Sequence, residues 1–448
     1  MILKTTKPII DKPSDLAQFV YDRLHNNTID HNINSLDILI ELFECLFYTS
    51  LHSEEGDLIR VTITFFDAEN PQLKTRKFQP TDKWRYVPFA KPLPFNVTTL
   101  VKLSKAADPW SSSLAVFYDE KFNLLIYGMI DQAIHSQSYI NFEVDNKPDQ
   151  PGYFKASING IGNISVTTEY DLIATLKQDS LITEYLNVFQ SGPIGDLIKK
   201  LARSLNKDVI KYLKESYPDE DYTDWDSSKS ILCRTTIARI LNQIKKYNHG
   251  GAILFSNDTK NLDIKYPLKY DRLASAMSNM VNIKIAISKE EEEDADFSKM
   301  ISLEQHYLMD SLHVKKRAAT NEIKGAIRFV ASQNCVDGLV LIDYGFIVQG
   351  FGVVIKIEEC PDIIYESVTA TVNEGKLIPN QTDRFGTRHR SMFAYCYNHP
   401  GSMGFVISQD GDIRAVNRVE DKLIMWENIQ TQKTIRSAFF KREKKSAK

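Results

Sequence analysis

Asp337-Gly338-Leu339-Val340-Leu341-Ile342-Asp343 is the stretch on which the fold of this chain turns. An Asp-Gly turn, a short run of aliphatic residues and then Tyr344-Gly345 predict a buried strand, and Phe346–Ile357 continues as a second strand-like run. Upstream, Asn248-His249-Gly250-Gly251 leads into another apolar strand, Ala252-Ile253-Leu254-Phe255. Ahead of that, Asp226-Ser227-Ser228 caps a helix from about Lys229 to Tyr247. Helical patterns occupy about 268–281 and 300–332, with the acidic run Glu290–Asp294 read as a solvated loop between them. Downstream, a loop around 374–387 precedes a short helix beginning near Arg388. The strands Gly404–Ser408 and Asp412–Val416 then flank the turn Asp410-Gly411. Helices alternating with buried strands predict an α/β domain, a mixed sheet flanked by helices.

The first half reads as α+β. Ser14-Asp15 caps a helix to about Leu24, and a nearly continuous apolar helix spans roughly Leu36 to Leu51. From Leu58 the period shortens to two, and Ile59–Phe65 alternates as a half-exposed strand does. Leu114–Tyr118 and Leu124–Gly128 flank the turn-rich Asp119–Asn123 as a hairpin. Further strands are expected near Ser138–Glu143, Tyr153–Ile158 and Ile164–Thr168, and Pro193 opens a helix to about Ser216. The acidic break Tyr217–Tyr222 places a domain boundary near residue 225. The expected organisation is therefore residues 1–225, 226–420 with an insertion at about 260–330, and a basic tail at 421–448.

With 448 residues, 43% of them hydrophobic, the chain has the apolar content of folded domains rather than of disorder. Its 55 Lys+Arg and 58 Asp+Glu leave a formal net charge of −3, which argues against bulk nucleic-acid binding, so any anion site is local. Five widely spaced cysteines without a C-x-x-C pair argue against a disulfide framework and a structural zinc site. No signal-peptide core and no long uncharged apolar run is found, so the expectation is a cytoplasmic protein without a membrane span.

P-loop, H-E-x-x-H and G-x-S-x-G motifs are absent, and Gly160-Ile161-Gly162 lacks the rest of a dinucleotide fingerprint. The most informative segment is Gly386-Thr387-Arg388-His389-Arg390-Ser391. Two arginines in a helix's first turn oppose the macrodipole, unless a bound anion reverses the sign. An exposed basic turn is the plainer alternative. Asp337-Gly338 places a carboxylate at a strand end, able to hold a divalent metal or take a proton from a hydroxyl, although Asp-Gly is also a common turn. Ser408-Gln409-Asp410-Gly411 likewise reads as a hydroxyl-and-acid site or as a hairpin turn. Trp84 and Trp110 line a pocket or fill the core.

Taken in order, Asp337-Gly338-Leu339, Gly386-Thr387-Arg388-His389-Arg390 and Ser408-Gln409-Asp410 resemble the signatures of the diadenylate cyclase (DAC) domain family, D-G-A, G-T-R-H-R and Ser-x-Glu. Gly251-Ala252-Ile253-Leu254 is similar to that family's G-A-L-I strand, and the resemblance covers about residues 228–420. It implies condensation of two ATP into cyclic di-AMP and pyrophosphate. Asp337 and Asp410 would hold Mg²⁺ or Mn²⁺, with Asp337 helping to activate a ribose 3′-hydroxyl. Thr387, Arg388, His389 and Arg390 would hold the triphosphate, and Ser408 would contact phosphate. Gly251, Ala252, Gly338, Leu339 and Gly386 complete the implied ATP site. Two departures stand out: Leu339 replaces a small Ala, and Asp410 is one methylene shorter than Glu. One ATP per domain implies a homo-oligomer with facing catalytic domains. The first half, through Leu100–Leu103 and Leu125–Gly128, resembles a sensor-type domain fused ahead of some DAC domains, with an unidentified ligand or protein partner. A silent ATP-binding regulator, or a nucleotidyltransferase making another cyclic dinucleotide, are the alternatives.

Overall fold

The computed structural model describes residues 11–26, 35–70, 79, 82–107, 111–140, 147–217, 226–247, 249–294, 303–357, 359–409, 411–432 and 434. The chain divides into two compact units, Met1–Glu184 and Tyr185–Lys448, the first α+β and the second α/β. This division falls about forty residues before the boundary expected near 225. The reason is that the segment after Pro193 is amphipathic: Ile194, Ile198 and Leu201 are buried and pack onto the second unit's own elements.

The first unit holds α1 (Pro13–Asn26), α2 (Leu36–Ser50), the small ribbon β1 (Ser53–Glu54) and β2 (Asp57–Leu58), and β3 (Thr62–Phe65). They are followed by β4 (Arg85–Pro94), α3 (Val97–Leu103), β5 (Ser112–Tyr118), β6 (Leu124–Asp131), α4 (Ala133–Ile140), β7 (Phe154–Gly160), β8 (Asn163–Thr168), β9 (Asp171–Lys177) and β10 (Ser180–Ile182). Eight strands form one sheet in the order β10-β9-β8-β7-β3-β5-β6-β4. Ile63, Phe65, Leu114, Val116, Phe154 and Ala156 share one core with the buried residues of α1 and α2. The other face of the central strands is hydroxylated: Thr62 pairs with Ser157 and Thr64 with Lys155, and Ser157 pairs with Ser165. Two expectations change here. Thr62 and Thr64 are buried, so β3 is enclosed on both faces rather than half-exposed. Of the strand expected at Ser138–Glu143, residues through 140 are helical in α4 and 141–143 lie outside the described residues. Trp84 is core, edge-on to Phe66 at 6.1 Å, whereas Trp110 lies outside the described residues.

The second unit begins with α5 (Gly192–Ser204) and α6 (Asn206–Ser216), two helices where one was expected. Next come α7 (Asp226–Lys246), β11 (Gly251–Phe255), β12 (Leu262–Tyr270), α8 (Arg272–Asp294), α9 (Leu303–Ser332), β13 (Leu339–Ile342) and β14 (Val348–Ile355). The unit is completed by β15 (Ile363–Ser367), β16 (Leu377–Gln381), α10 (Thr387–Asn398), β17 (Met403–Ile407), β18 (Ile413–Val419) and β19 (Lys422–Trp426). Nine strands run in the order β12-β14-β13-β11-β17-β18-β19-β15-β16, with β11–β13 and β15–β19 parallel. On one face, Leu254, Leu341, Val406 and Met425 pack with Met392, Phe393 and Tyr395 of α10. On the other, α5 and α7 approach β18 and β17. Burial on both faces explains why the central strands read as unbroken apolar runs. The acidic run Glu290–Asp294 closes α8 rather than forming a loop. The tail expected from 421 is corrected as well: Lys422–Trp426 is a sheet strand with Trp426 fully buried.

Candidate active site

Sheet topology brings the distant motifs to one rim. β11 and β13 are parallel, Ile253 opposite Val340, so their N-terminal ends coincide. β17 is antiparallel to β11, Gly251 opposite Ile407, so its exit into Ser408 reaches the same rim. Asp337-Gly338, Gly250-Gly251 and Ser408 thereby meet. α10 lies across β17, β18 and β19, and its first turn stands at this rim. A Cβ on Gly250, whose φ is +69°, would lie 2.9 Å from Arg388 Nη1 and 2.9 Å from the Ile407 carbonyl oxygen. Only a glycine lets that guanidinium rest on the backbone there.

Arg388 is half-buried, and Gly386, Thr387 and Arg390 are exposed. Among the described residues neither Arg388 nor Arg390 has an ion-pair or side-chain hydrogen-bond partner for its guanidinium. Gly386 occupies the N-cap of α10 without a side-chain cap. Two uncompensated cations at an uncapped helix N-terminus make a place for an anion.

His389 differs from its neighbours. Its Nε2 accepts a hydrogen bond from Arg414 Nη1 at 3.1 Å. Its ring centroid is 5.9 Å from Phe385 and 6.2 Å from Phe393. Burial, then Arg414, then Arg388 bring its pKa down to about 4, so the ring is neutral near pH 7. That is the form able to accept from Arg414. Arg414 is itself held by Glu427, Nε to Oε1 at 2.5 Å. This network escaped the sequence reading, because a single Arg in an alternating strand looks like an outward-facing residue.

On the β13 side, Asp337 presents an exposed carboxylate. Gly338 has φ +119°, and a Cβ there would lie 2.5 Å from the Gly352 carbonyl carbon, so its lack of a side chain serves the packing of β13 on β14. Leu339 and Ala252 put their side chains into the core with Val353 and Met392. The Ala252 N–H donates to Asn334 Oδ1 at 2.9 Å, a buried link that no sequence motif marks. Ser408 Oγ accepts from the Asp412 N–H at 3.1 Å, closing the turn. Asp410 lies outside the described residues.

Among the described residues no three of His, Cys, Asp or Glu gather as a metal site. An exposed carboxylate beside an anion cradle suits a hard divalent ion held jointly with phosphate oxygens, which is how Mg²⁺ is commonly bound. Asp337 fits that donor chemistry.

Residues 30–131, within the first unit, match the family model described as a probable sensor domain, DACNV. Comparison with curated proteins finds no match. Among the described residues no helix is long and apolar enough to cross a membrane.

Proposed function

We propose that the second unit is a diadenylate cyclase, condensing two ATP into cyclic di-AMP and two pyrophosphates under the control of the first unit. The observation that carries this reading is the meeting of Gly250-Gly251, Asp337-Gly338, Arg388-His389-Arg390 and Ser408 at one rim of the sheet. The similarity of residues 30–131 to a sensor domain of the kind found ahead of diadenylate cyclase domains supports it independently.

In this reading Arg388 and Arg390 bind the triphosphate and offset the charge that grows on it as the bond to the leaving pyrophosphate breaks. Asp337 takes part in activating the 3′-hydroxyl, which attacks the α-phosphate of the facing ATP. Mg²⁺ or Mn²⁺, held by Asp337 and Asp410, would supply Lewis-acid stabilisation of the phosphate oxygens. Neutral His389, fixed by Arg414, orients the first turn of α10. Each unit holding one ATP requires a second copy, so the active species is a homo-oligomer.

Incubation of the purified chain with ATP and Mn²⁺ is expected to yield cyclic di-AMP and pyrophosphate, and Asp337→Asn to lower the rate by at least about a hundredfold, the scale of a lost acid–base or metal-holding group. Full activity of Asp337→Asn would remove the site assignment. ATP binding without turnover by the wild type would favour a silent nucleotide-binding regulator. A cyclic product containing another base in NTP competition would favour a different nucleotidyltransferase.

A further inference from the structure

The hydroxylated face of the first unit's sheet carries a group that a purely structural face would not need. Lys155, on β7, is only 8% exposed, yet it carries an amine among strands whose opposite face is wholly apolar. Its Nζ donates to the buried Gln132 Oε1 and lies 5.6 Å from the Tyr170 ring centroid. These are its only polar and ring contacts among the described residues, and no carboxylate is among them. An ammonium has three donors, and here one is used. Gln132 and Tyr170 are themselves buried, 4% exposed each. On the adjoining strands, Thr64 Oγ1 and Ser113 Oγ, both fully buried, share a hydrogen bond of 2.7 Å.

Burying a cation with no counter-charge is unfavourable enough that such groups are retained where something answers the charge. We propose that Lys155, with Gln132 and Tyr170, forms the ligand site of the first unit, and that its ligand is a small molecule bearing an oxyanion, carboxylate or phosphate. The ammonium supplies charge and two further N–H donors, while Gln132, whose Nε2 donates to the Tyr170 hydroxyl at 3.5 Å, Tyr170 and the hydroxyls of Thr64 and Ser113 border the site. Burial holds the lysine pKa down to about 7, so arrival of an anion would also draw a proton onto Nζ. The site lies wholly within the first unit and is independent of the chemistry proposed for the second.

The test compares the melting temperature of the full chain at pH 7 in sodium chloride with that in inorganic phosphate, and separately in acetate, at matched ionic strength. Each is run on the wild type and on Lys155→Met. The expected result is an oxyanion-specific rise of about 2 °C or more that depends on Lys155. A rise with phosphate alone identifies the phosphate class, and a rise with acetate alone the carboxylate class. Equal rises in both proteins, as anion binding at Arg388 and Arg390 alone would produce, overturn the proposal. So does the absence of a rise in the wild type. Should Lys155→Met fail to fold, Lys155→Gln, which keeps a polar donor but no charge, takes its place with the same expectations.

Discussion

With Arg414 Nη1 donating to Nε2 from 3.1 Å, a proton on the His389 ring would be buried and would share its surroundings with two guanidinium charges, those of Arg414 and Arg388. Burial first, and those charges after it, make the ring titrate low, and the sign of the linkage follows. A histidine whose folded pKa, about 4, lies below its unfolded value contributes stability above roughly pH 6.5 that is lost as the pH falls toward 4. Arg414→Met removes the charge with the larger effect on the ring, and the hydrogen bond, so the ring is expected to titrate closer to its ordinary value of about 6.5. Ring-proton NMR of histidine across pH 3.5–8 measures it, and a ring still titrating near 4 would assign the depression to burial and Arg388. Residues such as Gly386–Arg390 are legible in sequence because five consecutive positions combine a glycine turn with closely spaced charges. Arg414 and Asn334 are not. Each acts through contacts distant in the chain, Arg414 on His389 and Asn334 on Ala252, and a linear pattern carries no trace of a partner many residues away.

At the scale of elements, the rim is made by the N-terminal ends of two parallel strands and the first turn of one helix. The buried Asn334 side chain links the segment before β13 to the first N–H groups of β11, its Oδ1 accepting from Ala252. Asn334→Ala leaves that N–H without its partner in a dry environment, a loss expected to cost about 1–3 kcal/mol. Urea denaturation should show a lower midpoint with an unchanged slope. A stability equal to that of wild type would mean the rim is held by the sheet ladders alone. The elements that the sequence misjudged differ in their causes. β12 is an edge strand whose residues are all half-buried or exposed, lysines among them, so it lacks the apolar run that betrayed β11 and β13. β19 is short and follows charged Glu420-Asp421, which made it look like the start of a tail, yet pairing with β18 buries its last four residues. Over 138–140, Ser-Tyr-Ile looks like strand, but there the chain forms α4 instead.

For the molecule as a whole, the pH profile of stability separates Lys155 from the other described groups whose pKa is shifted. Its folded pKa of about 7 lies far below its unfolded value, so the unfolded chain binds more protons through the interval between them. Stability is then expected to climb with pH above 7, approaching about 1.4 kcal/mol per pH unit, and to flatten below 7. The buried thiols act in the opposite sense. Burial raises the pKa of Cys45, Cys233 and Cys396, so the folded chain keeps those protons longer and stability falls once the unfolded thiols ionise, near pH 8.5. His389 changes only below about pH 6.5. Among the described residues with a resolved shift, the window from pH 7 to 8.5 thus belongs to Lys155. In chloride buffers the wild type should gain stability across that window, while Lys155→Met, with no buried ammonium to deprotonate, should stay level and be the more stable of the two at pH 7. Chemical denaturation at half-unit pH steps gives both curves. Parallel curves would show that Lys155 keeps its charge in the folded chain, and that its surroundings already answer it without a ligand.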